Sequence, residues 1–348
     1  MAVPHPYPLH EIAVQAGVSE ATVDRVLNAR GGVRASTQRQ VKQAITDLDR
    51  QRDQVRLGGR RFLVDVVMQT PERFSSAVRA ALESELPWLR PAVIRARFHF
   101  RETGSAAGLV AVLDDIRRRG SQGVLLKAPD VPEVAAAAQA LVRAGIPVVT
   151  LVTDVAASGR VAYVGIDNRA AGATAAYLIG QWLGTEQGDV LVTLSSGSFR
   201  GEEEREMGFR AALRAARPLR GLVEITESSG LDEPVGALVR AALAEHPGVR
   251  AVYSIGGGNV ATLAAFDALG RECAAYIAHD LDGDNAHLLR AGRLSAVLHH
   301  DLGADMRRAC QVILQAHRAL PGAIHTWPAS IQVITPHNIP STLPPALR

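Results

Sequence analysis

From residue 61 onward, short apolar runs alternate with longer Ala-rich amphipathic stretches, and that alternation restricts the body of the chain to an α/β fold. The apolar runs cover 62–68, 93–98, 123–126, 148–151, 190–194, 222–225, 251–255, 274–277, 294–298 and 331–334. Between most of them lie helical patterns such as 132–144, 169–183 and 232–245. Strands that alternate with helices form parallel sheets covered on both faces. Roughly 280 residues of this pattern suit two doubly wound lobes better than one core. Such sheets bind ligands at the carboxyl ends of their strands, so the residues just after each apolar run are the informative ones.

The first sixty residues follow a different rhythm. Leu9, Ile12, Ala13 and Ala16 recur at the spacing of one helix face. Gly17 suits a left-handed turn position, and Ser19 is a good N-cap for a second helix carrying Val23, Val26 and Leu27 inward. A third helix aligns Val41, Ile45 and Leu48. Three short helices, the first two joined by a tight Gly turn, predict a helix-turn-helix. Residues 1–61 hold ten Arg and Lys against six Asp and Glu, whereas the whole chain carries only +3. The positive excess therefore sits at the front, as a polyanion partner for that part would require; a solvated basic face would look similar.

The run from Leu9 to Asn28, with Ala13, Ala16, Gly17, Val18, Ser19, Thr22, Val23, Arg25, Val26 and Asn28 in place, resembles the LacI/GalR headpiece. The resemblance implies a sequence-specific transcriptional regulator, acting as a repressor, with the second helix in the major groove. Glu20, Ala21 and Arg25 would then face base edges, Arg25 through a bidentate contact to guanine. Ser19, Thr22 and Asn28 would hold phosphate, or else merely cap and pack the helices. Asp24 stands where the family usually has Ser; beside phosphate it would repel, so it is expected to orient Arg25 or another basic neighbour. The segment after the third helix lacks the family's usual Pro. Leu57 is either a minor-groove wedge or part of a plain polar linker ending at Gly58 and Gly59.

The body resembles the ribose-type periplasmic binding fold that LacI-family sensors share. The segments carrying that likeness are 145–151, 163–172 with Asp167 and Asn168, 204–209 with Arg205, 253–259 with Asn259, 278–280 with Asp280, and His300 where relatives often carry Gln. The expected architecture is a headpiece (1–50), a hinge or linker (51–60), and a two-lobed ligand-sensing and dimerisation domain (61–348) of the type I periplasmic binding protein kind. A sugar or polyol in the inter-lobe cleft is the implied effector, a pseudo-palindromic operator the implied DNA, and a homodimer the implied assembly. Asp, Asn and Arg supply the fixed acceptors and donors that paired hydroxyls need. Asp167, Arg205, Asn259 and Asp280 would either contact that ligand or serve as inter-lobe bridges and caps. Phe74 either covers a sugar face or packs the first helix of the body; Gln69, Glu72 and Arg73 are its neighbours. Ribose-type pockets read Leu-Asp-Arg where this chain has Leu151, Val152, Thr153 and Asp154, so Asp154 is a substitute candidate and specificity should differ.

Other chemistries find little support. Residues 256–261 satisfy G-x-G-x-x-A after a strand, but no acidic residue ends the following strand as a dinucleotide site requires. There is no Walker A and no G-x-S-x-G sequence. His299 and His300 point apart on a strand, and residues 280–284 lack calcium-loop spacing. No enzyme activity, cofactor or metal is expected. Cys273 and Cys310 are too few for a disulfide framework. No run approaches the ~18 apolar residues of a membrane span, and the first residues lack a basic segment followed by an apolar one, predicting a cytoplasmic protein. The rival readings are an exported solute-binding protein and an α/β dinucleotide-dependent enzyme.

Overall fold

The computed structural model describes residues 6–57, 60–89, 92–326 and 328–340, with side chains of 50–57 outside that description. Contacts divide the chain into two compact units at Arg60/Arg61. The first is three helices, α1 (Leu9–Ala16), α2 (Glu20–Leu27) and α3 (Ala35–Leu57). Gly17 ends α1 at φ 64°, and the amide of Val18 reaches back to the carbonyl of Ala13 at 3.0 Å. Only glycine takes that left-handed turn without steric cost. Ser19 then caps α2, its hydroxyl accepting from the Thr22 amide. Ile12, Ala13, Ala16, Val23, Val41, Ala44 and Leu48 form the buried core. α3 continues through the segment expected as a linker and ends at Leu57; Leu57's expected wedge role lies outside the described side chains.

The second unit holds two sheets. The first is ordered β2-β1-β3-β4-β5, from β1 (Arg61–Gln69), β2 (Val93–Arg101), β3 (Gly123–Lys127), β4 (Val148–Leu151) and β5 (Ala162–Val164). The second is ordered β11-β10-β9-β8-β6-β7, from β6 (Asp189–Thr193), β7 (Leu222–Ile225), β8 (Val249–Ser254), β9 (Ala275–His279), β10 (Ala296–His299) and β11 (Gln332–Ile334). β1, β3, β4 and β5 pair in parallel, as do β6 to β10, whereas the edge strand β11 is antiparallel to β10.

Between the strands run α4 (Glu72–Glu85), α5 (Ala106–Arg119), α6 (Pro132–Arg143), α7 (Asn168–Leu183), α8 (Arg200–Ala216), α9 (Asp232–Glu245), α10 (Asn259–Ala268), α11 (Gly283–Arg290) and α12 (Leu302–Ala316). α12 follows β10 of the second sheet but packs on α4, β4 and β5 of the first lobe. The chain therefore crosses between lobes three times: after β5, after β10, and between α12 and β11. The bridge between Ile166 and Ala329 ties two of those crossings together.

Two details set the frame of the site. Gly172 of α7 and Gly208 of α8 allow backbone-to-backbone contact: an added Cβ would lie 1.9 Å from the Arg205 carbonyl oxygen or 2.1 Å from that of Arg169. In β1, Asp65 is fully buried within an apolar run. Burial pushes its carboxyl up, but His99 and Arg97, with Arg119 also at 2.6 Å, hold it well below the usual carboxylate range.

Candidate functional site

On the first unit, Glu20, Ala21 and Arg25 are exposed along α2. Ala21 and Arg25, four positions apart, share a face, and Glu20 precedes Ala21 on the first turn. Asp24 does not orient Arg25. It accepts from Asn28 Nδ2 at 2.7 Å and pairs with Arg30 at 2.7 Å. Asn28 is thereby bound to the end of its own helix, and Ser19 and Thr22 bond each other at 2.9 Å on the exposed N-terminal turn. The exposed Arg25 guanidinium has no hydrogen bond or ion pair among the described residues, so its five donors are free for a partner.

On the second unit, a cavity of about 440 Å³ opens at the carboxyl ends of both sheets, within the size range of small-molecule sites. The first lobe supplies Gln69, Thr70, Arg73 and Phe74 after β1, Lys127 at the end of β3, and Val152 and Thr153 after β4. The second supplies Ser195, Glu202 and Arg205 from β6 and α8, Asn259 after β8, and His279, Asp280, Asp282 and Asn285 around β9. Arg73 spans the cleft: it donates to the Gly230 carbonyl at 2.8 Å and lies 3.7 Å from Asp282.

The expected ligand residues separate into two groups. Phe74, Arg205, Asn259 and Asp280 line the cavity. Phe74 is also packed, with its ring 5.9 Å from the Lys127 ammonium. Asp154, Asp167, Asn168 and His300 do not line it. Asp154 is turned onto Arg160 in a bidentate pair and accepts from Thr150; burial opposes its charge, but these partners hold its carboxyl low. Asp167 is exposed and spends its carboxylate capping α7 on the Ala170 amide. Asn168 is buried behind the wall and accepts from Arg205 Nε at 2.8 Å. Its amide donates to Tyr163 and to the Val152 carbonyl, so it fixes the guanidinium from behind.

His300 sits beneath Asp280. Its Nδ1 bonds Asp305, and its Nε2 is 3.7 Å from Asp280 Oδ1. Burial disfavours the imidazolium, but Asp305 and then Asp280 outweigh it and raise the pKa. His279 is the opposite case: burial, then Arg205 and His300, push it well below 6.5. Tyr253 bonds its Nε2 at 2.8 Å.

Backbone strain concentrates at the cavity. Val152 and Asp280, each directly after a strand of a different lobe, have φ of 64° and 63°. Such a conformation is a genuine outlier for a β-branched residue. The amide of Val152 is tied to Val164, and the Asp280 carbonyl accepts from Asn285. The pattern found Asp280 but not Lys127, Glu202, His279, Asp282 or Asn285. Lys127 reads as the polar end of an apolar strand, and Glu202 as one acid among three on a helix start. Burial pushes the Lys127 ammonium down to about 8.

Among the described residues no helix is long and apolar enough to cross a membrane, and no group of three or more His, Cys, Asp or Glu is placed to hold a metal. The periplasmic binding protein domain profile matches residues 65–318, and the profile of bacterial regulatory proteins of the lacI family matches residues 8–52. No curated protein sequence matches the chain. The glucose-galactose binding protein GanP of Geobacillus stearothermophilus superposes with a TM-score of 0.71 at 19% identity, over 81% of this chain and 99% of that one. A structure from Bacteroides fragilis assigned to the LacI transcriptional regulators gives 0.71 at 17%, over 80% and 98%. A carbohydrate transporter of Acidothermus cellulolyticus 11B, in complex with myo-inositol, gives 0.68 at 17%, over 80% and 95%. These likenesses show the fold, and both profiles describe binding and regulatory domains rather than catalysts. The chain belongs to the periplasmic binding protein domain family and carries a lacI-family regulatory helix-turn-helix at its front.

Proposed function

We propose that this protein is a cytoplasmic transcriptional repressor whose affinity for operator DNA is set by a sugar- or polyol-type molecule in the inter-lobe cavity. Glu20, Ala21 and Arg25 read base edges, with Ser19 and Thr22 against phosphate. Headpieces of a homodimer grip two half-sites of a pseudo-palindromic operator. Arg205, Asn259, Asp280 and the ring of Phe74 hold the effector. A ligand moves such an equilibrium only by its difference in affinity for the two states.

The observation that carries the effector half is the polar inventory of the cavity. Arg205 is 3% exposed, yet one of its terminal nitrogens has no partner, and the Asp280 carboxylate makes no hydrogen bond among the described residues. A buried donor left unpaired costs about 1–3 kcal/mol, so a polyhydroxylated ligand supplies what the wall lacks. The structural neighbours that bind glucose and galactose or myo-inositol agree with that chemistry. A thermal-shift screen of sugars and polyols tests it: a ligand at about 100 times its Kd stabilises the folded state by about 2.7 kcal/mol. If no sugar or polyol raises Tm, the effector assignment fails.

A further inference from the structure

We propose that the effector is a sugar acid, its carboxylate held between Lys127 of the first lobe and Arg205 of the second, with its hydroxyls on Asp280. This rests on the sugar-effector reading above and narrows it. Lys127 ends β3, whose residues are all buried, and is itself 9% exposed. Its ammonium stands 4.4 Å from the Phe199 ring centroid and donates to the Gln69 carbonyl at 3.2 Å. An ammonium carries three donors, so Lys127 still has donors to offer the cavity. Arg205 faces the same space with its unpaired terminal nitrogen, and its charge opposes that of Lys127, against a larger favourable pull on the ammonium from Glu202 and Asp280. Two like charges held in one buried space are relieved by an anion placed between them.

Glu202 and Asp280 compensate Lys127 in part, but most of the carboxylates nearby are engaged by hydrogen bonds of their own. Glu202 is committed to the amide and hydroxyl of Ser195 at 2.7 and 2.6 Å. Glu102 accepts from the Glu72 amide, Glu227 from the Gly197 amide, and Asp282 from the Asn285 amide with Arg73 beside it. Asp154, which would have opposed an anion from the first lobe, is locked onto Arg160 outside the lining. Among the described lining carboxylates Asp280 accepts no hydrogen bond, its Oδ1 lying 3.7 Å from His300 Nε2, and it is suited to vicinal hydroxyls. His279, with Nδ1 buried and without a hydrogen-bond partner, adds a further polar atom to the wall.

The experiment is calorimetric titration of the full-length protein with matched pairs: D-glucuronate and D-gluconate against D-glucose, and D-galacturonate against D-galactose. At least one acid should bind about tenfold or more tighter than its neutral parent, since charge-assisted bonds are roughly twice as strong as neutral ones. Lys127→Met, with Lys127→Gln as the alternative should the first not fold, should bring the acid-to-neutral ratio to near one. Neutral sugars binding as well as or better than their acids would overturn the inference and leave the sugar-effector reading standing. An unchanged ratio in a folded Lys127 variant would also overturn it. Binding of neither set would overturn the inference and leave the sugar-effector reading to the wider thermal-shift screen.

Discussion

At the scale of single residues, the proposed contacts to DNA and effector fall to a few side chains that the fold leaves unpaired. Arg25 is one: Arg25→Ala should cut discrimination between specific and random DNA by about 1–3 kcal/mol per lost guanine contact, read by competition binding. An equal loss on both DNAs would make Arg25 a phosphate contact. Asn168 is a positioning residue. Asn168→Ala should free the Arg205 guanidinium and weaken effector binding about tenfold, although Asn168 itself is outside the lining. Asp282 provides the pH test. Burial raises it from 3.8 to about 6, so between pH about 4 and 6 the folded chain keeps a proton that the unfolded chain has lost. Stability therefore falls as pH rises across that window. Asp282→Asn should flatten this part of the Tm profile; an unaltered slope would contradict the assignment.

At the scale of elements, what was legible followed from periodicity. Helices α1 and α2, their Gly17 turn and the Ser19 cap read directly from residue type and spacing, because each is decided locally. The apolar runs located every strand except β5, whose three residues, Ala162 to Val164, are too short to show a period. α3 overruns the expected linker because Arg and Gln, rich in that segment, are good helix formers. The binding wall was only half legible. Asp280 and Arg205 stand at strand-end and helix positions that a pattern can flag. Lys127 becomes a cavity residue only when β3 is seen to end inside the cleft. Asp154 and Asp167 looked equally suitable, but their partners, Arg160 and the Ala170 amide, were visible only in three dimensions. The α7–α8 contact gives a sharp test. Gly208→Ala puts a methyl against the Arg169 carbonyl, and should cost about 3 kcal/mol of stability by overpacking, measured by denaturant unfolding.

At the scale of the whole molecule, three chain crossings join two lobes that share one cavity, and Arg73 closes its rim onto Gly230 and Asp282. Such a pair of lobes has few covalent constraints beyond the crossings, so a ligand that contacts both walls favours one arrangement over others. The same chain bears a helix whose exposed face is suited to a major groove. In the proposed function these two sites are thermodynamically linked. The direct measurement is fluorescence anisotropy of a genomic fragment selected on the purified protein, titrated with and without the sugar that raises its Tm. The sugar should shift the Kd for that fragment about 5- to 150-fold, with no such shift in Asp280→Asn. An identical Kd with and without a sugar that demonstrably occupies the cavity would contradict the linkage.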